Sequence, residues 1–458
     1  MIQGRLAPAS RTERVRAPGR FAFSLSSRAL LLLGIGLIWI LPALIDRRAL
    51  LIMAAWDVVV LTLAAADLRR LPRPSDLRVT RAWSSPLSIG SAATVHVTVE
   101  NEGAIPIVLD VADYTAPALC RDLPEAKLRV GARSASSLSY DVLPRERGDL
   151  EIGAVAATWW SDWRLTERWG VAPAFQRTRV YPDFAAARHE TMYLIRSRQV
   201  ALEKRRAKFA GTGREFESLR DYREGDERRD VSWRASARRG KLVTRVYQPE
   251  RSQAVWILVD AGRLLRARLA DRAMLDTSAT AALALAQVAL ASGDRVGLMA
   301  YGRRLQHRLA PARGAGHFRA IVEALATVHA DGVDADHATA VATLLTAQKR
   351  RALIVWLTEI AETAGVPDVI EHAMTMAGRH VVLFAVMRQP ELQDLAAAEP
   401  ASVRDMYRVV AAQEALERRD GLLHGLRQRG ALVVEVSPAE LAAGVVDRYL
   451  ETKERGLV

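Results

Sequence analysis

Cysteine is nearly missing: Cys120 stands alone in 458 residues. That excludes an internal disulfide and any thiolate cluster for zinc, and it is compatible with a reducing compartment. The sequence also lacks the usual carriers of chemistry. No Gly-x-x-x-x-Gly-Lys-Ser/Thr phosphate loop occurs, since Arg239-Gly240-Lys241 runs into Leu242, which cannot offer a hydroxyl to Mg²⁺. His189-Glu190 is followed by Thr191-Met192-Tyr193, so a His-Glu-x-x-His zinc helix is absent too. There is no Gly-x-Ser-x-Gly elbow, and Cys120 has no histidine near it in sequence. The nine histidines are scattered. These absences point to a non-enzymatic protein. The charge balance lacks acid: 65 Lys and Arg against 52 Asp and Glu leave +13 and a pI near 10.3. Such an excess suits nucleic acid, anionic headgroups or the cytoplasmic face of a membrane, and does not choose among them.

What is present begins with two apolar runs. Residues 29–45, ALLLLGIGLIWILPALI, are uncharged and as a helix would span about 26 Å at about 1.5 Å per residue. Asp46-Arg47-Arg48 connects them to residues 49–66, long enough to return. The pair reads as a transmembrane hairpin behind a basic tail at 1–28. Arg11, Arg14, Arg16, Arg20 and Arg28 precede it and Arg69, Arg70 and Arg73 follow, against Arg47 and Arg48 between. Both termini are therefore expected on the cytoplasmic side of a bacterial-type inner membrane, crossed twice. Asp57, mid-way along the second helix, reads either as a helix-association contact or as a neutral carboxyl.

After Pro72-Arg73-Pro74 the pattern alternates: DLRVTRAW, ATVHVTVEN, IPIVLDVADY and SSLSYDVLP read as strands, with turn chemistry at Asn101-Glu102-Gly103. A β-sandwich-like domain over 75–182 follows, with Trp159, Trp160, Trp163 and Trp169 taken as packing residues.

Within an arginine-rich segment at 196–253, residues 213–253 interleave acids and bases with Phe216, Leu219, Tyr222, Val231 and Trp233, as a partly buried polar network would. Arg229, Asp230, Trp233 and Arg234 would allow guanidinium–carboxylate pairing beside a stacked indole. Gly213, Glu215 and Phe216, then Leu219, Arg220 and Tyr222, then Gly225 and Asp226, then Asp230 and Trp233 stand in order, ahead of Ala237–Leu242 (with Arg239, Gly240 and Lys241) and of Tyr247, Pro249 and Glu250. This order resembles the signature of the domain-of-unknown-function-58 family. The resemblance extends to the hairpin, the β region and the domain that follows.

From residue 254 to 458 apolar strands alternate with helices. AVWILVD at 254–260, DRVGLMAY at 294–301, RALIVWLTE at 351–359, HVVLFAV and ALVVEVS read as five strands of a doubly wound parallel sheet. An Asp closing the first strand looks like a von Willebrand factor A domain. What that resemblance implies is a Mg²⁺ site built from Asp-x-Ser-x-Ser, a Thr and a later Asp. The sequence departs from it. Asp260 is kept, Gly262 and Leu264 replace the serines, Thr339 is the threonine candidate, Glu359 stands for the last Asp, and Arg263 adds a positive charge. Mg²⁺ binding is thereby weakened, and a vestigial site kept as a contact edge is the favoured reading.

The fold class expected is thus α/β: a transmembrane hairpin, a β-sandwich-like middle and a von Willebrand factor A-like end. The function expected is a membrane-anchored adapter. The family resemblance implies a MoxR-type AAA+ ATPase as partner, in assembly or maturation of a membrane or envelope complex. Two alternatives stand beside it: a peripheral anionic-lipid or nucleic-acid binder using the arginine-rich segment, with nucleic acid disfavoured by the interleaved acids, and a metal-dependent hydrolase around Asp260.

Overall fold

The computed structural model describes residues 8–19, 22–46, 48–120, 122–187, 215–223, 228–248, 253–269, 272–360 and 366–457. They divide into a unit at Met1–Tyr181 and a unit at Pro182–Val458.

The first unit is a sandwich with a helical hairpin rooted in it. Two antiparallel sheets form it. One joins β1 (Arg11–Arg14), β3 (Leu77–Trp83), β4 (Ala93–Asn101) and β7 (Ser134–Val142). The other joins β2 (Phe23–Leu25), β10 (Thr166–Ala172), β9 (Val155–Trp160), β5 (Ile107–Asp113) and β6 (Glu125–Val130). A two-stranded ladder, β8 (Gly148–Ile152) with β11 (Gln176–Val180), completes it. Strict alternation along β3 and β4 sends Leu77, Val79, Val95, Val97 and Val99 inward, where they meet Ile107, Leu109, Val155 and Trp159 of the second sheet in one core. Inside that core Arg81 and Asp113 form a salt bridge, and Tyr140 Oη donates to the same carboxylate at 2.7 Å. Burial and the Asp113 charge push the Tyr140 hydroxyl far above its usual range. The guanidinium also donates to the carbonyls of Ala174 and Gly153, so the buried charges are satisfied.

The basic tail expected over 1–28 is in part sheet. Arg11–Arg14 pairs antiparallel with Arg78–Arg81, Phe23–Leu25 pairs with Thr166–Arg168, and Val15 is buried in the core. An open sheet edge offers main-chain partners whatever the side-chain charge, so a short arginine-rich strand can close it.

The first apolar run is shorter as a helix than expected. It comprises α1 (Ser27–Gly36), a 3₁₀ turn at Leu37–Trp39 and α2 (Ile40–Ala43), while α3 runs Ala49–Arg70. Among the described residues two helices are long and apolar enough to cross a membrane, Ala49–Asp76 and Met274–Ala291; the stretch Ser27–Pro42 is a shorter apolar helix. Met274–Ala291 is packed into the second unit and mostly buried, whereas Ala49–Asp76 is mostly exposed.

The second unit contains a small hairpin, β12 (Glu215–Asp221) with β13 (Val243–Gln248), and between its strands α4 (Trp233–Arg239). A six-stranded sheet follows. Its strands are β14 (Ala254–Asp260), then, after a two-residue ladder of β15 (Arg268–Leu269) and β16 (Arg272–Ala273), β17 (Arg295–Tyr301), β18 (Leu305–Ala312), β19 (Leu353–Leu357), β20 (Val381–Met387) and β21 (Leu432–Val436). Their spatial order is β18-β17-β14-β19-β20-β21. Five strands run parallel, as the apolar runs predict, but β18 pairs antiparallel with β17, so the sheet is mixed. The connection Gly302–Arg304 is short enough for a hairpin, and no crossover helix is needed. Helices α5 (Met274–Ala291), α6 (Ala315–Thr327), α7 (His337–Ala347), α8 (Val366–Ala377), α9 (Pro390–Ala397), α10 (Val403–Gln428) and α11 (Leu441–Glu454) wind around it. Leu344, Met376 and Leu423 cover one face, against Trp256, Trp356 and Phe384.

Candidate functional site at the carboxyl edge of the sheet

Parallel strands end with their side chains converging on the crevice beyond their carboxyl ends. Three residues reach that point from β14, β17 and β19: Asp260, Tyr301 and Thr358, all buried. Asp260 Oδ1 accepts from the Gly262 amide at 2.7 Å, and Oδ2 accepts from the Thr358 hydroxyl at 2.6 Å. Beside them the Trp356 indole donates to Tyr301 Oη at 2.6 Å, and that oxygen lies 3.0 Å from His337 Nδ1. The His337 ring stands edge-on to Tyr301 and Trp356, with centroids 5.8 and 5.6 Å away.

Burial governs the protonation of this cluster. It pushes the Asp260 carboxyl above the usual carboxylate range, against the opposing pull of His337 and Thr358. It lowers His337 and raises the Tyr301 hydroxyl well above its ordinary value. Each group is thus driven toward its neutral form.

The loops over this edge are laced by main-chain bonds: Asp331 N to Ala261 O at 2.7 Å, Arg263 N to Val333 O at 2.9 Å and Asp336 N to Gly302 O at 2.9 Å. Gly262 is required by that closeness, because a Cβ there would stand 2.8 Å from the Ala335 amide and 3.2 Å from Asp260 Oδ1. A serine at this position could not be seated without moving the loop.

The three candidate metal ligands are each engaged by a different partner. Thr339 is exposed, and both its amide and its hydroxyl donate to Asp336, the N-cap of α7, at 2.9 and 2.7 Å. Those bonds hold the Asp336 carboxyl below the usual range. Glu359 is buried in a salt bridge with Arg419, whose other nitrogen donates to Met387 O at 2.6 Å. Among the described residues no three His, Cys, Asp or Glu side chains are grouped to hold a metal ion. Asp260 accepts from Gly262 and Thr358, Thr339 donates to Asp336 and Glu359 pairs through one oxygen with Arg419, so each candidate is bonded to a separate partner. Arg263, expected to crowd the cation, instead pairs outward with Asp334 at 2.5 Å. Strand-end position marks Thr358 beside Asp260 and Glu359 already in the sequence, whereas Tyr301, His337, Trp356 and Arg419 were not among the sequence candidates. Position at a strand end could have found Tyr301, whereas His337 and Arg419 come from helices far along the chain.

The signature residues lie on the separate hairpin. Glu215, Phe216, Leu219 and Arg220 are in β12, paired with Gln248, Tyr247, Arg245 and Thr244. Tyr222 N donates to Leu242 O at 2.9 Å, and Lys241 pairs with Asp221 at 2.7 Å. Arg229 and Asp230 form a 3₁₀ turn, Trp233, Arg234 and Arg239 lie in α4, and Gly240 ends it with φ of 65°. Only a residue without Cβ adopts that left-handed turn at no cost. Trp233 is 68% exposed. Gly225, Asp226, Pro249 and Glu250 lie outside the described residues, as do 196–214.

The family model described as "Protein of unknown function DUF58" matches residues 218–414. The uncharacterized protein YeaD of Bacillus subtilis (strain 168) is 30% identical over 118 residues, which are 26% of this chain and 27% of that protein. The match therefore spans about a quarter of the relative's length. The crystal structure of the conserved hypothetical protein BatB from Bacteroides thetaiotaomicron is similar over 44% of this chain and 99% of that one, at 13% identity and a TM-score of 0.31. The CARDB domain of the PF1109 protein from Pyrococcus furiosus, solved with di-metal ions, is similar over 20% of this chain and 78% of its own, at 16% identity and a TM-score of 0.15.

Proposed function

From a chain that carries the DUF58 region over residues 218–414, we propose a membrane-anchored, non-enzymatic adapter whose C-terminal unit is a von Willebrand factor A-like contact domain. One observation carries this reading: the strand-end crevice, where chemistry would sit, is filled by the protein's own hydrogen bonds from Gly262 and Thr358 to Asp260. A filled crevice leaves the loops above it as the working surface. Arg263, Arg303, Val333 and Asp334 are exposed there. The strand order β18-β17-β14-β19-β20-β21, with its antiparallel edge strand, supports the von Willebrand factor A-like reading.

The anchor is the hairpin of α1 to α3. Leu31, Leu41, Leu44, Ile45 and Leu51 are at least 65% exposed on it, an apolar surface that water would penalise and lipid would cover. Arginines flank the hairpin more heavily than its tip, so both termini are assigned to the cytoplasm. The partner proposed is a MoxR-type AAA+ ATPase, which would supply nucleotide hydrolysis for assembly or maturation of a membrane or envelope complex.

The test is retention of a purified MoxR-type ATPase from the same cell by the full chain in neutral detergent. Saturable retention is expected. Retention no greater than on bare resin would remove the adapter reading.

A further inference from the structure

We propose that the root of the hairpin is a binding site for anionic phospholipid headgroups, built from Arg28, Arg69, Arg70, Arg164 and Trp163. This rests on the membrane reading above and makes it more specific.

The root is a fixed structure. Asp67, in the last turns of α3, is only 1% exposed; its carboxylate accepts from Ser161 Oγ at 2.5 Å, from the amides of Leu165 and Thr166 at 3.1 and 3.0 Å, and from Thr166 Oγ1 at 3.1 Å. Arg168 donates to Leu68 O at 2.9 Å and the Trp159 indole to Pro72 O at 3.1 Å. On the other helix Ser26, the N-cap of α1, donates its amide to Leu165 O at 2.9 Å and its hydroxyl to Arg164 O. Ala29, Ala64 and Leu165 pack together between the helices and the β9–β10 loop. Both helix ends and this loop therefore share one level of the molecule, directly below the exposed apolar surface.

Exposed cations collect at that level. Arg28 is in the first turn of α1, Arg69 and Arg70 are in the last turn of α3, and Arg164 is in the loop. None of the four has a carboxylate partner among the described residues. Asp162, the nearest acid in the loop, is already paired with Arg129 at 3.2 Å. Arg70 lies 4.4 Å from the Trp163 ring centroid, and Trp163 is 43% exposed, although the neighbouring Trp159 and Trp160 are buried. Arg164 stands 5.2 Å from the Trp160 ring. It also adopts φ of 55°, a left-handed conformation that costs a non-glycine residue energy and that the Ser26 and Leu165 bonds hold in place.

An amphipathic indole beside unpaired guanidiniums, at the foot of an apolar surface, matches the chemistry of a bilayer interface. Guanidiniums hold phosphate oxygens in a forked geometry, and the inner leaflet supplies phosphate bearing net negative charge. A zwitterionic headgroup offers the same phosphate with its charge cancelled by the adjacent ammonium. The site should therefore discriminate between the two.

The experiment titrates the full chain in neutral detergent with short-chain phosphatidylglycerol, short-chain phosphatidylcholine or inorganic phosphate, and reads the thermal unfolding midpoint. Phosphatidylglycerol should raise the midpoint at a concentration at least about tenfold lower than phosphatidylcholine, a difference of about 1.4 kcal/mol. The preference should vanish in Arg70→Gln/Arg164→Asn, which keeps a residue tolerant of the left-handed turn. It should survive in Arg70→Lys/Arg164→Lys and in Arg177→Gln, a charge loss on the exposed β11 strand where Arg177 pairs with Glu151. Equal response to phosphatidylcholine, an equal response to inorganic phosphate, or a preference undiminished in the Gln/Asn variant would each overturn the proposal. Alkaline extraction of membranes from expressing cells separates the two readings. A chain that stays in the pellet but lacks the preference loses the headgroup site alone, while a chain that is extracted loses the anchor and the site with it.

Discussion

Asp260 closes β14 in the interior of the second unit, where its carboxylate accepts from Gly262 and Thr358. An Asp closing a buried apolar strand is legible as the head of a ligand crevice. What cannot be read is that Thr358, 98 residues later, donates to it, or that Glu359 is bound to Arg419 from a helix farther on. Spacing reports which residues reach the strand ends, but partners supplied by distant helices have no local signature. The protonation of Asp260 gives a test. Burial raises its folded pKa above the unfolded value of about 3.9, so its stabilising contribution is full below that value and is lost as pH rises through the folded pKa. Asp260→Asn is neutral throughout and can keep both contacts, Oδ1 accepting from Gly262 N and Nδ2 donating to a Thr358 hydroxyl turned to accept. It should match the wild type below pH about 4 and unfold roughly 2–4 °C higher near neutrality, read by thermal scans of the full chain across pH. Millimolar Mg²⁺ should leave the wild-type midpoint in place; a rise abolished in the variant would restore the metal site.

At the scale of elements, strands with alternating burial and the buried parallel strands are well marked in the sequence because each repeats one physical demand over several residues. The strands without a clear pattern include β9 and β10, interior to their sheet, and three edges. β1, β2 and β18 carry arginine, serine, histidine and proline, with little periodicity, and their place is set by an open ladder beside them. The hairpin depends on a similar close fit. Gly36 of α1 lies so near α3 that a Cβ would stand 2.7 Å from Asp57 Oδ1 and 2.8 Å from Trp56 Cδ1, while the Trp56 indole donates to Leu32 O at 2.8 Å. Gly34 faces open space within 4 Å. Gly36→Ala should lower the stability of the full chain in detergent by about 1–3 kcal/mol, and Gly34→Ala should be near neutral. Equal effects in denaturant titrations would mean that the helices do not meet at Gly36. The contact also places Asp57 at the helix–helix approach.

Over the whole molecule, two units divide the work assigned to them. The first holds an apolar hairpin by Asp67 and Ser26, and the second presents loops over a crevice closed from within. A chain built this way would act by contact, and its contact surface should lie on those loops and be independent of a bound metal. The most direct measurement is the affinity of the full chain for nucleotide-free MoxR-type ATPase, with and without a chelator, for the wild type and for Arg303→Glu/Val333→Asp. The account predicts binding that the chelator leaves unchanged and that the paired substitution weakens by about tenfold or more. Binding that the chelator abolishes, or that the paired substitution leaves intact, would contradict it.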